Sequence, residues 1–543
     1  MTLISKINPK EWKFVTLISL LTLTITIIPL LIGYLMQNDN YRFVGFLSPH
    51  EDLNSYLTWM KQAEKGYFLF EIKYTTEEQP RNIFRPYFLF GGLISRYLNI
   101  PLVIVYQIMR IISGLILLFT SYIFLAYFIK DILKRKIIFI LICFSSGFGY
   151  IFATLYHFFG FRLPEIFMVP CDQVHPQAVT FWGIDWFGHT ELAIAIMLII
   201  FILFFASYYK ISILILLTGL LILILNYIHL FRIFTIVINL GIYSLYLIYR
   251  DRMIRNKVIF NYLVLLLFSL IAGFLNLILL IKNPVSKLFI YQVSFYNIFG
   301  YLLGMGLVAI VAMFAIVKAI KEHKQEFYFL IIWVISTLIL LQSKLPFRMR
   351  LVEGLHIALS ILCGLGLFWI LEKWGWFKEG ILNKKGKIFI FFFILFTIPS
   401  NLMHFIGDIR TATQIEYPYF LSKDLEDVFN WMDKNLPING TVLASREIGS
   451  FIPARTGLKT YIGHVAETVN KHKKLNLFKQ FMSKSTEDQS RIDLLTKNRI
   501  DYFLYTDFER KIGDFNPDEA KFLKEIYRSD SVVLYKVELI ESK

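Results

Sequence analysis

The chain alternates long apolar runs with short polar segments, and this pattern predicts membrane helices. About eleven runs are long and apolar enough to cross roughly 30 Å of hydrocarbon as α-helices. They fall at residues 14–36, 101–129, 136–156, 191–208, 212–229, 231–249, 257–281, 298–318, 326–342, 351–371 and 387–405. The stretch 212–249 divides in two because Asn226, His229 and Arg232 are costly in lipid and fit an interfacial turn. The pattern therefore predicts a polytopic α-helical membrane protein.

Basic clusters between these runs predict the orientation of the spans. With eleven spans all the clusters fall on one side, which the positive-inside rule makes the cytoplasm. They occupy residues 6–13, 130–136, 210, 250–257, 318–324 and 372–387. The N-terminus is then cytoplasmic and the C-terminal residues are extracytoplasmic. A further span at 86–99 would move the 130–136 cluster outside, so we expect that segment to lie on the outer surface, with Arg96 snorkelling.

Two large polar regions lie on the predicted outer side. The first is a loop at residues 37–100, within a transmembrane domain covering residues 1–405. The second, residues 406–543, alternates amphipathic helices with short β-rich runs such as TVLAS, KTYIG, DYFLYT and VVLYKV. That alternation is typical of a small α/β domain with a mainly parallel sheet. We call these regions the first loop and the tail.

Composition and charge exclude several classes of protein. The chain is 56% hydrophobic, more than a soluble protein of this size could bury, and carries a formal charge of +16. Because the positive charge lies in the orienting clusters and forms no aromatic-and-basic surface pattern, we expect no nucleic-acid partner. Cys143, Cys171 and Cys363 are scattered, which argues against a disulfide framework or a zinc site.

The stretch HEDLNSYLTWM, residues 50–60, carries the first candidate chemistry. On a helix Asp52 and Tyr56 share a face, beside an apolar stripe of Leu53, Leu57 and Met60. Such a helix would lie on the membrane surface with a carboxylate facing an outer aqueous cavity. The alternative is an ordinary first turn, where the helix dipole stabilises acidic side chains.

Arginines and a lysine on the outer side go against the topological bias and need another explanation. The stretch SKLPFRMRLVEG places Lys344, Arg348 and Arg350 at the outer end of a span. Guanidinium groups bind phosphate bidentately, and a lipid-linked phosphate lies at this depth. Contact with anionic lipid headgroups explains the same residues without specificity. Arg81 and Arg85 form a second candidate clamp near the acid pair.

Two further outer segments carry histidines and carboxylates. Residues 172–193 hold His189 and Glu191, with Asp172, His175 and Asp185 upstream, and NYIHLFR holds His229 and Arg232. Their spacing matches no fixed metal-ligand motif, so we assign no metal and no cofactor, and a divalent cation remains the alternative. We interpret these residues as the lining of an outer cavity. A satisfied interfacial histidine is the alternative for His229.

The tail contains a candidate ligand site at the ends of its strands. GHVAET places His464 and Glu467 just past a predicted strand, where α/β sheets bind ligands. The alternative is that Gly449, Gly457 and Gly463 are turn glycines. The tail has no GxGxxG and no Walker loop, so nucleotide binding has little support.

In its layout the whole chain resembles the GT-C integral-membrane glycosyltransferases, which include protein O-mannosyltransferases and aminoarabinose and arabinofuranosyl transferases. The residues that carry the resemblance are Glu51-Asp52, Tyr56 and RNIFRPYFLF. The mannosyltransferases have Asp-Glu where this chain has Glu-Asp, which leaves the choice of base open. The stretches from His50 to Leu57, Pro346 to His356 and Ile452 to Thr468 also resemble a group of bacterial membrane proteins of this fold.

The resemblance implies a glycosyltransferase of the bacterial cell envelope. A sugar on a polyprenyl phosphate would pass to an extracytoplasmic acceptor, whether glycan, lipid or protein. Asp52 or Glu51 would act as the base in an inverting attack, and the cations near Arg348 would hold the phosphate in the same cavity. The side chains expected to line that cavity are His50, Tyr56, His189, Glu191, His229 and Arg232. The alternatives are a flippase for a lipid-linked saccharide and a non-catalytic envelope-assembly protein.

Overall fold

A computed structural model describes residues 7–163, 169–208, 213–289 and 298–538. Lys6 and Lys210 of the predicted cytoplasmic clusters lie outside these residues. All of the predicted apolar runs are helical. Their helices are Pro9–Leu35, Leu102–Phe128, Ile132–Phe144 followed by Gly149–Phe159, Gly188–Ser207, Ile213–His229, Phe231–Arg250, Arg255–Lys282, Ile298–Lys321, Tyr328–Leu340, Leu355–Lys373, and Lys384–Thr397 followed by Pro399–Thr413.

The helix lengths support a multi-pass membrane protein. Among the described residues 8 helices are long and apolar enough to cross a membrane, with 132–159 counted as one. The last two apolar helices, bent by 46° at their junction, make a ninth if they form one span. Ile213–His229 and the segment ending at Leu340 are apolar but shorter. The count of eleven spans therefore stays a prediction.

The chain divides into two compact units. The first holds Met1–Pro29, Ile108–Leu275 and Gln292–Asp408, and the second holds Leu30–Gln107, Asn276–Tyr291 and Ile409–Lys543. The first loop packs in one unit with nearly all of the tail, and the predicted domain boundary at residue 405 stays a prediction. The physical reason is that the two regions share hydrogen bonds and ion pairs, described below.

The first unit is a bundle of the apolar helices with a few short elements between them. Leu355–Lys373 is buried along almost its whole length and packs against Ile298–Lys321. A Cβ at Gly366 would lie 2.7 Å from the carbonyl oxygen of Val311, so only glycine allows this close approach. The short elements are the helices Cys171–Val174 and Thr180–Trp186, the 3₁₀ turns Pro176–Ala178, Gln325–Phe327 and Arg348–Val352, and the hairpin Phe377–Lys378 with Ile381–Leu382.

The second unit combines the first loop with the tail. The first loop contributes the strand Tyr41–Phe43 and the helices His50–Glu64 and Pro86–Leu98. Tyr41–Phe43 pairs antiparallel with the tail strand Phe420–Ser422, and the N–H of Thr460 donates to the carbonyl of Lys73 at 2.9 Å. The tail helices are Lys423–Asn435, Arg446–Gly449, Ile452–Thr456, Lys471–Phe481, Asp488–Lys497 and Asp507–Arg510, and the 3₁₀ turns of the unit are Pro284–Phe289 and Pro517–Glu519.

A five-stranded sheet forms the centre of the tail. In spatial order its strands are Lys459–Thr460, Thr441–Leu443, Tyr502–Tyr505, Val533–Val537 and Leu523–Arg528. The first two pairings are parallel and the last two antiparallel, so the predicted mainly parallel sheet is a mixed one. The antiparallel part comes from Val533–Val537, which runs against both Tyr502–Tyr505 and the edge strand Leu523–Arg528. Leu523 is the one buried residue of that edge strand, so the strand shows no alternating apolar pattern in the sequence.

Candidate functional site

The helix His50–Glu64 carries the acid pair in its first turn. Pro49 precedes it and provides no side-chain cap, so Glu51 and Asp52 lie where the helix dipole favours carboxylates. The predicted apolar stripe is present, because Leu53, Leu57 and Met60 are all buried. The helix is therefore fixed by its apolar side while its first turn carries charge.

The two carboxylates of the pair have different surroundings. Glu51 accepts from Nη2 of Arg446 at 2.8 Å and from the main-chain N–H of Val465 at 3.2 Å. Its side chain is 18% exposed, whereas that of Asp52 is 47% exposed. Glu51 thus ties the first loop to the tail, and Asp52 is the more open carboxylate.

His464 brings an imidazole from the tail to this carboxylate. Its Nε2 lies 3.6 Å from Oδ1 of Asp52, while its Nδ1 accepts the N–H groups of Ala466 and Glu467 at 3.0 and 3.1 Å. Two donors at Nδ1 leave the ring proton on Nε2. The predicted tail residue His464 and the predicted base Asp52 therefore meet in one place.

Glu467 is buried beside these groups. The hydroxyl of Ser55, on the first-loop helix, donates to its carboxylate. Burial raises the pKa of Glu467, and the charges of His464 and Arg85 and the Ser55 hydrogen bond oppose this rise. The sequence singled out Glu467 but not Ser55, whose partner lies 412 residues away.

Arg85 and Tyr56 complete this cluster. Arg85 precedes the helix Pro86–Leu98 and lies within electrostatic reach of Glu467 and Tyr56, and burial lowers its pKa. The ring of Tyr56 stacks on Phe88 with centroids 5.1 Å apart. We call Glu51, Asp52, Tyr56, Arg85, His464 and Glu467 the acid-pair site.

His50 lies at the edge of the acid-pair site. Its ring meets Tyr419 edge-on, with centroids 6.4 Å apart. Burial lowers the pKa of His50, although the adjacent Glu51 opposes this. A neutral imidazole can accept or donate a hydrogen bond, which is compatible with the predicted lining role.

Arg81 is not arranged as a free phosphate clamp. Its Nη2 lies 2.5 Å from Oε1 of Glu71, and its guanidinium stacks over Tyr67 at 3.6 Å. Lys73 and Lys459 each approach the same carboxylate at 3.0 Å. Arg81 is thus paired with the carboxylate of Glu71, which no sequence pattern marks, and a phosphate clamp formed by Arg81 and Arg85 stays a prediction.

A second polar cluster lies inside the first unit, around Glu353. Both Glu353 and Arg232 are fully buried, and Arg232 pairs with the carboxylate and donates to the main-chain oxygen of Glu353 at 2.8 Å. His229 and Arg350 approach the carboxylate at 3.5 Å each. The predicted residues His229, Arg232 and Arg350 therefore converge on Glu353, an acid that the sequence pattern does not mark.

The remaining predicted residues of that unit divide between this cluster and its surroundings. Arg350 also donates to the side-chain oxygen of Gln177, and the rings of His189 and His229 stack with centroids 6.2 Å apart. Glu191 is buried and lies within electrostatic reach of Arg232. We call Arg232, Glu353, Arg350, His229, His189 and Glu191 the Glu353 cluster.

Lys344 and Arg348 are placed differently from Arg350. Lys344 is exposed, and Arg348 donates through Nη1 to the main-chain oxygen of Ser343 at 3.0 Å. Asp52 belongs to the second unit and Arg348 to the first. The expected meeting of these two side chains in one cavity stays a prediction.

Several residues that matter here were missed because their partners are distant in sequence. Glu353 lies inside the basic stretch SKLPFRMRLVEG, where a lone acid among cations is the signal that could have marked it. The sequence around Arg446 carries no comparable signal. Metal ligation finds no geometric counterpart in the described part of the chain, which contains no group of three or more His, Cys, Asp or Glu arranged to hold an ion.

Comparison with known proteins establishes the fold. No protein-family model matches the sequence, and no curated protein matches it significantly. The oligosaccharyltransferase AglB of Archaeoglobus fulgidus, in complex with an inhibitory peptide and a dolichol-phosphate, superposes with a TM-score of 0.53 at 12% identity. That match covers 89% of this chain and 69% of the other. The same enzyme complexed with Zn and sulfate gives 0.54 at 12% identity, over 94% and 72% of the two chains.

ArnT of Cupriavidus metallidurans, bound to undecaprenyl phosphate, gives a TM-score of 0.50 at 12% identity, over 95% of this chain and 98% of its own. The chain has the GT-C fold. The predicted fold class is thereby confirmed, including the C-terminal α/β domain. At these identities the likeness establishes the GT-C fold alone, so the reaction has to be argued from the chain's own residues.

Proposed function

We propose that the protein is a membrane glycosyltransferase that moves a sugar from a polyprenyl-phosphate donor to an extracytoplasmic acceptor. The observation that carries this proposal is the acid-pair site in a chain with the GT-C fold. There a half-exposed carboxylate, Asp52, stands beside an imidazole donor, His464. Arg85 lies within reach of the same cluster.

The donor class is supported by what two proteins of this fold hold. The ArnT structure contains undecaprenyl phosphate and an AglB structure contains a dolichol-phosphate. Both are isoprenoid phosphates, which fit a chain with many apolar helices. The acceptor would be a glycan, lipid or protein of the envelope, on the side that carries the tail. In this arrangement the N-terminus is cytoplasmic, residues 1–405 are the membrane domain and residues 406–543 the extracytoplasmic domain.

Asp52 is the base that the geometry favours over Glu51. Both carboxylate oxygens of Glu51 are engaged, one by Arg446 and one by the Val465 N–H. In the proposed step the acceptor oxygen forms a bond to the anomeric carbon while the bond from that carbon to the phosphate oxygen breaks. The hydroxyl proton passes to Asp52, and the electron pair of the broken bond leaves on the phosphate. Attack opposite the leaving group inverts the anomeric centre.

Cations would stabilise the charge that develops on the leaving phosphate. Arg85 is the candidate in the same unit as Asp52, while Arg350, Arg348 and Lys344 remain candidates from the other unit. Because phosphate already leaves readily as an anion, no second carboxylic acid is required, in contrast to glycosidases. His189, Glu191, His229 and Arg232 would line the donor cavity through the Glu353 cluster. A divalent cation would add to this charge stabilisation where one binds.

The test is donor turnover by purified protein in nanodiscs supplied with labelled polyprenyl-phosphate sugars and candidate acceptors, with and without Mn²⁺ or Zn²⁺. We expect Asp52→Asn to lower turnover by about 10²-fold or more, since a positioned base contributes on the order of 10²–10⁴-fold. Glu78→Gln is the matched control, because Glu78 is a first-loop carboxylate that is 79% exposed and pairs only on the surface with Arg499.

Three results would count against the proposal. Turnover by Asp52→Asn at the parent rate would remove Asp52 as the base. Movement of intact donor between leaflets without cleavage would favour a flippase. Tight binding of donor with neither cleavage nor transport would favour a non-catalytic assembly role.

A further inference from the structure

The imidazole of His464 carries a buried donor that the folded chain leaves unsatisfied. His464 is 5% exposed, and its Nε2 has no hydrogen-bond partner among the described residues. Oδ1 of Asp52 lies 3.6 Å away, beyond the length of a hydrogen bond. A buried N–H without an acceptor costs free energy, on the order of 1–3 kcal/mol, and therefore calls for an explanation.

The ring cannot relieve this cost by changing tautomer. Nδ1 accepts main-chain N–H groups from Ala466 and Glu467, so a proton there would face two donors. The proton is thereby kept on Nε2, on the side of the ring where Oδ1 of Asp52 lies. Burial of the ring also prevents bulk water from serving as the routine acceptor.

The loop that carries His464 is held from several sides. The hydroxyl of Thr468 donates to the carbonyl of Tyr74 at 3.0 Å and accepts from the N–H of Gly463 at 3.2 Å. A Cβ at Gly463 would lie 2.7 Å from the carbonyl of Gly449, so the two turns approach closely. The imidazole is therefore fixed, whereas the side chain of Asp52, in the first turn of its helix, is 47% exposed.

We propose that His464 is a positioning residue for Asp52: Oδ1 of Asp52 closes onto the fixed Nε2–H of His464 when the acceptor binds, and this hydrogen bond holds the carboxylate facing the acceptor hydroxyl. This inference rests on the glycosyl transfer proposed above. It assigns to the tail a part in the chemical step and not only in acceptor binding. Catalytic hydrogen bonds that are long in the empty enzyme commonly shorten in the reacting complex.

The charged surroundings of Asp52 are compatible with this role. Among the described residues, the charged groups around Asp52 include His50 and Glu51 on its own helix and His464 and Glu467 in the tail. Arg446 lies beside Glu51, and Arg85 lies within electrostatic reach of Glu467. A hydrogen-bond donor at Oδ1 favours the ionised form of a carboxylate. Removing the Nε2 donor of His464 should therefore favour the protonated form of Asp52.

Two substitutions separate the Nε2 donor from the Nδ1 acceptor. In His464→Asn the side-chain oxygen can still accept the Ala466 and Glu467 N–H groups, but no donor reaches Asp52. In His464→Gln the longer amide can reach Asp52, but the acceptor at the Nδ1 position is lost. His472→Asn is the matched control, because His472 is an exposed histidine of the tail helix Lys471–Phe481.

The experiment measures kcat for donor turnover as a function of pH in the parent and these three variants, with thermal unfolding recorded for each. For His464→Asn we expect kcat to fall about tenfold and the acid limb of the profile to move upward by about one pH unit, the size of one hydrogen bond. His464→Gln should have most of the parent kcat and an acid limb at the same pH as in the parent. His472→Asn should match the parent in both.

The results separate this inference from the proposed function. A parent that turns over no donor overturns glycosyl transfer and this inference with it. A parent that is active, with a His464→Asn profile equal to its own, overturns the inference alone. Loss of activity in His464→Gln with parent behaviour in His464→Asn would show that His464 only supports the loop.

Discussion

Nη2 of Arg446 lies 2.8 Å from Oε1 of Glu51, and this ion pair joins a tail helix to the first turn of the first-loop helix. The Val465 N–H occupies the other oxygen of the same carboxylate at 3.2 Å. Glu51 is therefore a structural link, although it is adjacent in sequence to the proposed base. The two members of the acid pair should respond differently to substitution.

We expect Glu51→Gln to lower turnover by less than about tenfold. The amide oxygen can still accept from the Val465 N–H, and a partly exposed ion pair contributes only about 0–1 kcal/mol. Initial rates compared with those of Asp52→Asn check this. An inactive Glu51→Gln beside an active Asp52→Asn would transfer the role of base to Glu51.

Glu71 should be a stability determinant with a defined pH dependence. Burial alone would raise the pKa of Glu71, but Lys73, Lys459 and Arg81 outweigh it and lower the pKa below 4.5. Because the folded-state pKa is depressed, this stability is fully present above about pH 4.5 and is lost as the pH falls through the folded value.

Glu71→Gln leaves the fully buried Lys73 without its counter-charge and should cost roughly 3–5 kcal/mol at neutral pH. Thermal unfolding in detergent measures this, and Glu78→Gln should leave Tm unchanged. Between pH 5 and 3 the Tm of the parent should approach that of Glu71→Gln, as about one carboxylate's contribution disappears. Coincident Tm curves would show that Glu71 contributes nothing, and parallel curves with an offset would show that its contribution does not depend on its ionisation.

The folded protein should need Arg232 and Glu353 together, so that losing one of them costs more than losing both. Both side chains are fully buried. Glu353→Gln leaves the Arg232 guanidinium without its counter-charge, and Arg232→Met does the same to the Glu353 carboxylate. Each should lower the free energy of unfolding by roughly 3–5 kcal/mol. The double replacement Arg232→Met/Glu353→Met should regain much of the lost Tm, since an apolar pair can substitute for a buried ion pair.

Glu322→Gln is the control for that series. Glu322 pairs with Lys318 at 3.6 Å on the surface, where the two side chains are 46% and 31% exposed. Its loss should change stability by no more than about 1 kcal/mol. A double variant no more stable than either single one would show that the Glu353 cluster needs its charge for more than mutual compensation.

The apolar helices were predictable because length and hydropathy are local properties of the sequence. Every predicted run is helical in the structure, including the two short ones, Ile213–His229 and Tyr328–Leu340. A local pattern also sufficed for the tail strands Thr441–Leu443 and Tyr502–Tyr505, in which nearly every residue is buried. The edge strand Leu523–Arg528 was missed because half of its residues are exposed and a single one is buried, so polar residues are tolerated along it.

Pairings between distant residues could not be predicted in this way. The basic stretch at Lys344–Arg350 was expected to act as one group, yet Arg350 turns to Glu353 and Gln177 while Arg348 binds a main-chain oxygen. Arg81 likewise has no obvious partner in the sequence, whereas in the structure it pairs with Glu71. Charge type is written in the sequence, but which opposite charge neutralises it is decided by packing.

The acid-pair site also has a consequence for biosynthesis. Ser55 and Glu467 are joined across 412 residues, and Glu51 and Val465 across 414. A ribosome has long passed the first-loop helix before it makes the partners of that helix. During this interval the helix His50–Glu64 lacks the tail residues that later bind its first two turns. Membrane insertion of all the intervening helices thus precedes the maturation of this centre.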